Sequence, residues 1–220
     1  MYTISDNMMV LFVLKTAVRR RQKMKVEQFV MAYGIEQDRI RAMLPEGFRS
    51  LRPVLRINTE IRESGGEENV YIELNTPVEG KGRRGWMNVA SWQSPDTDIN
   101  LERDGKAVII RSKFIEIKYE GVGIEGGCPA EKDNDGCFFP GNGMEFRPAE
   151  QINEKKEFCD CSFAWHFNEG VASGESIGKT LQAFGTEPEK QYERQELTAE
   201  NAAAIPCEQV LGSYIVRFER

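Results

Sequence analysis

Alternating apolar and polar residues run through much of the chain and predict β-strands. In residues 53–61, Leu55 and Ile57 alternate with polar residues, so the two kinds of side chain lie on opposite faces of a strand. The polar face of this segment carries Arg56 and Asn58. Similar patterns, rich in β-branched and aromatic residues, predict further strands at 26–33, 69–75, 86–92, 105–126, 158–167 and 210–220.

Two stretches instead have a helical period. Residues 35–44 place their apolar side chains on one broad helical face, and Pro45 and Gly47 then end the helix and return the chain to extended structure. Residues 197–205 form the second stretch, with Thr198 as a possible N-cap. A third stretch, 174–184, is predicted to be a short helix or irregular, since its glycines weaken a helix.

Glycines mark the predicted turns between strands. Residues 63–68 read as a hairpin turn, and 80–85 form a second turn-rich segment. The long run 105–126 is expected to divide into two strands near Gly121 or Gly123.

Together these elements predict an α+β protein that is mainly antiparallel β, with few short helices. A sheet this long needs closure or a second layer to protect its edges, and such architectures usually leave an apolar pocket. Residues 1–23 are expected to form a lead-in segment, and 24–220 a single domain.

Composition and charge limit the classes of partner that the protein is expected to bind. The net charge of −6 gives no overall support for binding nucleic acid or an anionic membrane. Residues 15–25 are locally basic, which is typical either of an anion-binding arm or of a solvated segment. The apolar stretch before them is too short to span a membrane, and the basic residues follow it, which is the reverse of the order in a secretory signal. We therefore expect a cytoplasmic protein whose five cysteines are free thiols.

The order of elements in the first third of the chain resembles the acetoacetate decarboxylase-like family. The matching residues are FVMAYGIEQDRIRAMLPEGFRSLRPVLRINTEI and ENVYIELNTPVEGKGRRGWMNV, with a weaker match at IPCEQVLGSYIVRF near the C terminus. The resemblance implies a closed, cone-like β-barrel around an interior cavity. In active members a buried lysine forms a Schiff base with a 3-oxo acid, which requires no metal and no organic cofactor.

The resemblance also assigns site residues. The Tyr-x-Glu of the family matches Tyr71 and Glu73, which makes Glu73 a candidate for catalysis and Tyr71 a candidate for substrate binding. The alternative is that this strand face is simply solvated. Asn58 occupies the position of a second family glutamate, where it lacks the negative charge. Trp86 belongs to a set of aromatic residues that either line a pocket or pack in the core.

The lysine motif of the family, Pro-Lys-Lys, does not occur in this chain. By its distance from Glu73, Lys113 is the nearest candidate, and Arg111 would share its strand face and help to depress the lysine pKa. Lys113 and Arg111 are equally compatible with a solvent-exposed face of a sheet. Lys106 and Lys118 are weaker candidates.

Two other constellations suggest different chemistry. Residues 173–180 approach a phosphate-binding loop, but its first glycine is misplaced. Cys159 and Cys161, with the single histidine His166 and the pair Cys128 and Cys137, could belong to a zinc site, although the Cys-x-Cys spacing better suits two small core residues.

The sequence thus predicts a decarboxylase-type lyase, or a diverged relative that binds a small oxo acid or apolar carboxylate in its cavity. The alternative is a non-catalytic β-barrel that binds small molecules or a partner. A homo-oligomer is expected from the resemblance.

Overall fold

The computed structural model describes residues 23–126, 134–141, 143–167, 173–176 and 190–220. The predicted lead-in segment, apart from its last residue, lies outside the described residues, as does most of the predicted element at 174–184. The described part contains thirteen strands and two five-residue helices. No described helix has the length and apolar character that crossing a bilayer requires.

The elements follow one another in a strand-rich order. The N-terminal part comprises β1 (Lys25–Gly34), α1 (Gln37–Arg41), β2 (Phe48–Ser50), β3 (Val54–Ser64), β4 (Glu67–Gly80) and β5 (Arg83–Gln93). The middle comprises β6 (Ile99–Asp104), β7 (Ala107–Ser112), β8 (Ile115–Glu125), β9 (Gly136–Phe139) and β10 (Glu145–Pro148). The C-terminal part comprises β11 (Glu157–Trp165), β12 (Ser173–Ser176), α2 (Ala199–Ala203) and β13 (Gln209–Glu219).

All thirteen strands belong to one sheet. Its main path runs β10-β9-β5-β4-β3-β1-β13-β11-β8-β7-β6, with β2 added to β4 and β12 added to β11. Every pairing is antiparallel except that of β5 with β9. The predicted antiparallel-rich α+β class is therefore confirmed. The closed barrel is not confirmed, because no pairing between described residues joins β6 to β10 and the sheet is open.

The two halves of the open sheet face each other across the core. Phe29 of β1 stacks on Tyr119 of β8 with 4.3 Å between ring centroids, and Trp92 of β5 stacks on Phe114 at 4.4 Å. One apolar cluster joins β3 and β4 to β7, β8 and β11, which lie far away in the sheet order. Burial of this shared face provides the main driving force for folding.

The opposite face of β3 and β4 is polar and carries the site described below. Alternation puts Leu55 and Ile57 in the core and leaves Arg56 and Asn58 on the other face, as the sequence pattern predicts. This polar face is not solvated throughout, because β9 and the chain around β10 lie over it.

The local predictions for the helices and the first turn are largely confirmed. The first helix is shorter than its apolar pattern, ending at Arg41, and Gly47 takes a positive φ of 82° in the turn that follows. At α2, the hydroxyl of Thr198 accepts a hydrogen bond from the backbone N–H of Asn201. The 63–68 turn connects β3 to β4 through Gly65 and Gly66, both with positive φ.

The predicted division of residues 105–126 is wrong. The chain turns between β7 and β8 at residues 113–114, and β8 continues through Gly121 and Gly123. The hydroxyl of Ser112 accepts hydrogen bonds from the backbone N–H groups of Phe114 and Ile115, which stabilises the turn at this point. Gly121 instead makes room for a neighbour, since a Cβ there would lie 2.4 Å from a carboxylate oxygen of Glu157.

Candidate ligand-binding cavity

A cavity of about 320 Å³ lies on the polar face of β3 and β4. Side chains of these two strands form its floor, and residues 134–139 and 147–152 form much of the opposite wall. Its lining is predominantly polar and charged rather than apolar, which corrects the expectation of an apolar pocket. We call it the Glu73 cavity.

Glu73 is held in a fixed orientation in the wall of this cavity. Its side chain is buried, with the residue only 8% exposed. One carboxylate oxygen accepts a 2.6 Å hydrogen bond from the Tyr71 hydroxyl, and the other accepts bonds from the side-chain amides of Asn58 and Asn75 at 3.3 and 3.2 Å. A buried carboxylate thus has a donor on each oxygen, as the cost of burying a charge requires.

Strand pairing explains how these groups meet. Asn58 of β3 lies directly opposite Glu73 of β4 in the antiparallel register, and Tyr71 and Asn75 flank Glu73 on the same strand. The side-chain oxygen of Asn58 accepts a 3.0 Å bond from the Gln28 amide on β1, which leaves the Asn58 amide group to donate to Glu73. Burial and the adjacent Glu73 charge raise the pKa of Tyr71 well above its usual range, so its hydroxyl remains a donor at neutral pH.

Four arginines line the same cavity, and three of them are engaged in ion pairs. Arg220 donates two bonds of 2.9 Å to Glu60 and also pairs with Glu150. Arg62 pairs with Glu60 at 2.7 Å. Arg147 donates two bonds, of 3.0 and 3.1 Å, to Glu145.

Arg56, the fourth arginine, stacks on an aromatic ring instead. Its guanidinium carbon lies 3.8 Å from the centroid of the Trp86 ring, and Trp86 is only 3% exposed. The Nε atom of Arg56 is buried and has no hydrogen-bond partner. A cation held flat against a buried indole is fixed in position but keeps its in-plane N–H groups for another acceptor.

Cys137 of β9 also faces the cavity. Burial, together with the nearby Glu73 charge, raises the pKa of its thiol to about 12, an effect that Arg56 partly offsets. A thiol with this pKa is protonated at neutral pH, so Cys137 is poorly suited to act as a nucleophile.

Four of the six predicted site residues converge on the Glu73 cavity. Its lining includes Glu73, Tyr71, Asn58 and Trp86. The structure does not bring Arg111 or Lys113 to it. Arg111 of β7 is exposed and pairs on the surface with Glu102 of β6 and Glu116 of β8.

Lys113 is exposed and borders a different hollow, of about 550 Å³, together with Trp92 and His166. Lys113 lies in the turn between β7 and β8, so it does not share a strand face with Arg111. The prediction that the two side chains lie together on one face is therefore wrong. No lysine is found among the described residues that line the Glu73 cavity. Lys106 and Lys118 are also exposed.

The structure also describes four of the five cysteines and part of the predicted phosphate-loop segment. Cys159 and Cys161 are buried in the main apolar cluster, and the four described cysteines are free thiols. The fifth, Cys128, lies outside the described residues, as does the second half, 177–180, of the 173–180 segment.

Sequence reasoning did not single out several residues of the cavity. Arg56 was placed on the same strand face as Asn58, and that alternation was a usable signal for it. Gln28 and Arg220 come from a strand and a terminus that are distant in sequence, so no local pattern indicates them, and Cys137 was considered only as part of a zinc site.

Comparison with known proteins supports the fold. No protein-family model and no curated protein matches the sequence. The structure is similar to that of acetoacetate decarboxylase from Legionella pneumophila subsp. pneumophila str. Philadelphia 1, with a TM-score of 0.52 and 13% identity over 90% of this chain and 84% of that chain.

Two other solved structures align less well. An acetoacetate decarboxylase-like enzyme from Sphingomonas wittichii RW1 has a TM-score of 0.45 and 12% identity, over 89% of each chain. The enduracididine biosynthesis enzyme MppR, complexed with pyruvate, has a TM-score of 0.47 and 10% identity over 90% of this chain and 86% of that chain. The chain has an acetoacetate decarboxylase-like fold, as the resemblance implied, and at these identities the likeness shows the fold alone.

Proposed function

We propose that this chain binds a small oxo acid, or a closely related small carboxylate, in the Glu73 cavity. The observation that carries the proposal is the buried Glu73 carboxylate, held by three donors in the wall of a cavity that arginines also line. Buried polar networks of this kind are costly unless every member has its partner, so their presence beside a cavity is characteristic of a binding site.

The size and charge of the cavity support a small anionic ligand. A volume of about 320 Å³ is near the lower limit of ordinary ligand pockets. Arginine side chains bind carboxylates well because their planar N–H groups match the two oxygens. Glu73 can in turn accept a hydrogen bond from a hydroxyl of the ligand, such as that of an enol or a hydrated carbonyl.

The described residues favour binding over Schiff-base catalysis. A lysine nucleophile needs to be neutral near pH 7, which burial or a close cation provides. Lys113 has neither feature in this structure: it is exposed, and Arg111 lies on the preceding strand in surface ion pairs. We therefore propose that the chain binds its ligand without catalysing a reaction.

Blocking the cavity tests the proposal. Ala149 lines the Glu73 cavity, so Ala149→Trp would fill part of its volume, whereas Ala204 lies exposed at the end of α2 and Ala204→Trp is the matched control. Calorimetric titration with pyruvate and with acetoacetate should show binding to the wild type and to the control. We expect the Ala149→Trp variant to bind at least about tenfold more weakly, and equal binding by both variants would refute this location.

A trapping experiment distinguishes binding from catalysis. Treatment with borohydride in the presence of either oxo acid, read by peptide mass, should give no lysine adduct, and carbon dioxide release from acetoacetate should match the uncatalysed rate. An adduct on Lys113 that Lys113→Ala abolishes would instead establish the decarboxylase form. A homo-oligomer and a cytoplasmic location are further parts of the proposal, and light scattering measures the first.

A further inference from the structure

Arg56 differs from the other arginines of the Glu73 cavity in its electrostatic surroundings. Within the described residues, Arg62, Arg147 and Arg220 each pair with a carboxylate, whereas no described carboxylate forms an ion pair with Arg56. No described ion pair joins Arg56 to Glu73 either, and the described donors to Glu73 are the neutral side chains of Tyr71, Asn58 and Asn75. Arg56 is partly buried, and a cation in that environment without an anionic partner is unfavourable until an anion binds.

The contacts of Arg56 leave its N–H groups available in the cavity. Trp86 covers one face of the guanidinium at 3.8 Å from the ring centroid, an arrangement that holds the plane without using its N–H donors. The buried Nε has no partner, although Arg56 and Trp86 both line the Glu73 cavity. An unpaired buried N–H is rare in folded proteins and calls for an acceptor.

We infer that Arg56 binds the carboxylate of the ligand and thereby makes the Glu73 cavity selective for small acids over neutral ketones and esters of the same size. This inference rests on the proposed function and deepens it, because it names the group on the ligand and the side chain that recognises it. A guanidinium whose face lies against Trp86 can offer a carboxylate two parallel N–H bonds from its edge.

The test compares two ligands with two arginine variants. Pyruvate and methyl pyruvate differ in the charge that Arg56 is inferred to recognise. Arg56→Met removes that cation, and Arg111→Met removes one positive charge at an exposed residue outside the cavity, whose guanidinium pairs with Glu102 and Glu116. Calorimetry measures each affinity, and circular dichroism with thermal unfolding checks that each variant is folded.

We expect the wild type to prefer pyruvate over methyl pyruvate by at least about tenfold. Arg56→Met should abolish this preference, and Arg111→Met should change the affinity for pyruvate less than about threefold. Arg56→Lys serves if the methionine variant does not fold, and it should reduce the preference because an ammonium lacks the planar donor pair.

The outcomes separate this inference from the proposed function. If the wild type binds pyruvate and a folded Arg56 variant retains the full preference over the ester, the role of Arg56 is refuted while the binding function stands. If the wild type binds neither oxo acid, the proposed function itself fails, and the assignment of Arg56 fails with it.

Discussion

Thr59 and Thr76 are both fully buried on adjacent strands, but only one of the two hydroxyls has a partner. The Thr76 hydroxyl donates a 3.1 Å bond to the backbone carbonyl of Val54. The Thr59 hydroxyl, on the core face of β3, makes no hydrogen bond. The same residue type therefore stabilises the fold at one position and costs free energy at the other.

This contrast predicts opposite effects of the same substitution. Thr59→Val replaces an unsatisfied hydroxyl with a methyl group in an apolar setting, and we expect it to raise the free energy of unfolding by about 1 kcal/mol. Thr76→Val removes a buried hydrogen bond and should lower it by a similar amount. In thermal unfolding each change corresponds to about 2–4 °C for a chain of this size. Stabilisation by both variants would show that the Thr76 bond contributes nothing.

At the scale of elements, α1 is too short to be stable alone. Contacts with residues 190–194, which precede α2, stabilise it. Its five residues fall well below the length at which isolated helices form. The backbone N–H of Lys190 donates to Asp38, the Lys190 ammonium and the Tyr192 hydroxyl donate to Glu36, and Arg194 donates to the carbonyl of Leu44. Two acidic side chains thus hold residues 190–194 against α1.

These contacts predict that residues 190–194 detach in acid. Hydrogen bonds from Lys190 and Tyr192 lower the pKa of Glu36, and the Lys190 backbone N–H lowers that of Asp38. A lowered carboxyl pKa contributes stability above its unfolded value, about 4, and that stability is lost as the pH falls through the folded value. Hydrogen exchange, corrected for its intrinsic pH dependence, should show protection of 190–194 at pH 6 that declines below about pH 4.

A pair of glutamine variants checks the origin of this effect. Glu36→Gln removes the charge and should reduce the protection of 190–194 already at pH 6. Glu46→Gln changes an exposed carboxylate in the loop after α1 and should leave the protection unchanged. Equal protection in both variants would mean that other contacts, such as the Arg194–Leu44 hydrogen bond, hold residues 190–194 against α1.

The strands, helices and turns also show what local sequence patterns can predict. The alternation in 53–61 correctly separated the core face of β3 from the face that carries the site, whereas the first helix ends at Arg41, before the Pro45 and Gly47 that were expected to end it. The turn at Ser112 was missed because a single hydroxyl, rather than a glycine, stabilises it. The pairing of β9 with β5, about fifty residues away, was not predicted because no local period encodes it.

At the scale of the whole molecule, Glu27 connects strands from both halves of the sheet. Its carboxylate accepts bonds from the Tyr119 hydroxyl of β8 and from Arg217 of β13, and it pairs with Arg103 of β6. Together with the Phe29–Tyr119 stack, these contacts join the end of the sheet at β6 to its middle at β1. The two halves are therefore expected to unfold together.

Three thiols in different regions test whether residues 24–220 form one cooperative domain. Cys137 lines the Glu73 cavity, Cys159 lies in the main core, and Cys207 packs at the edge of that core. Burial raises the pKa of Cys137 and Cys159 to about 12 and that of Cys207 to about 11. Since the thiolate is the reactive form, each should react with iodoacetamide at pH 8 at least about a hundredfold more slowly in the native state than in urea.

The dependence on denaturant gives the decisive measurement. In a Cys128→Ser background, labelling is followed by peptide mass across a urea titration. If unfolding is one cooperative transition, all three thiols become reactive with the same midpoint, because each is protected by the same folded state. Reaction of Cys137 at lower urea than Cys159 would mean that the cover of the cavity opens separately. In that case the ligand site would lie between two units of different stability, and pyruvate would shift only the Cys137 midpoint.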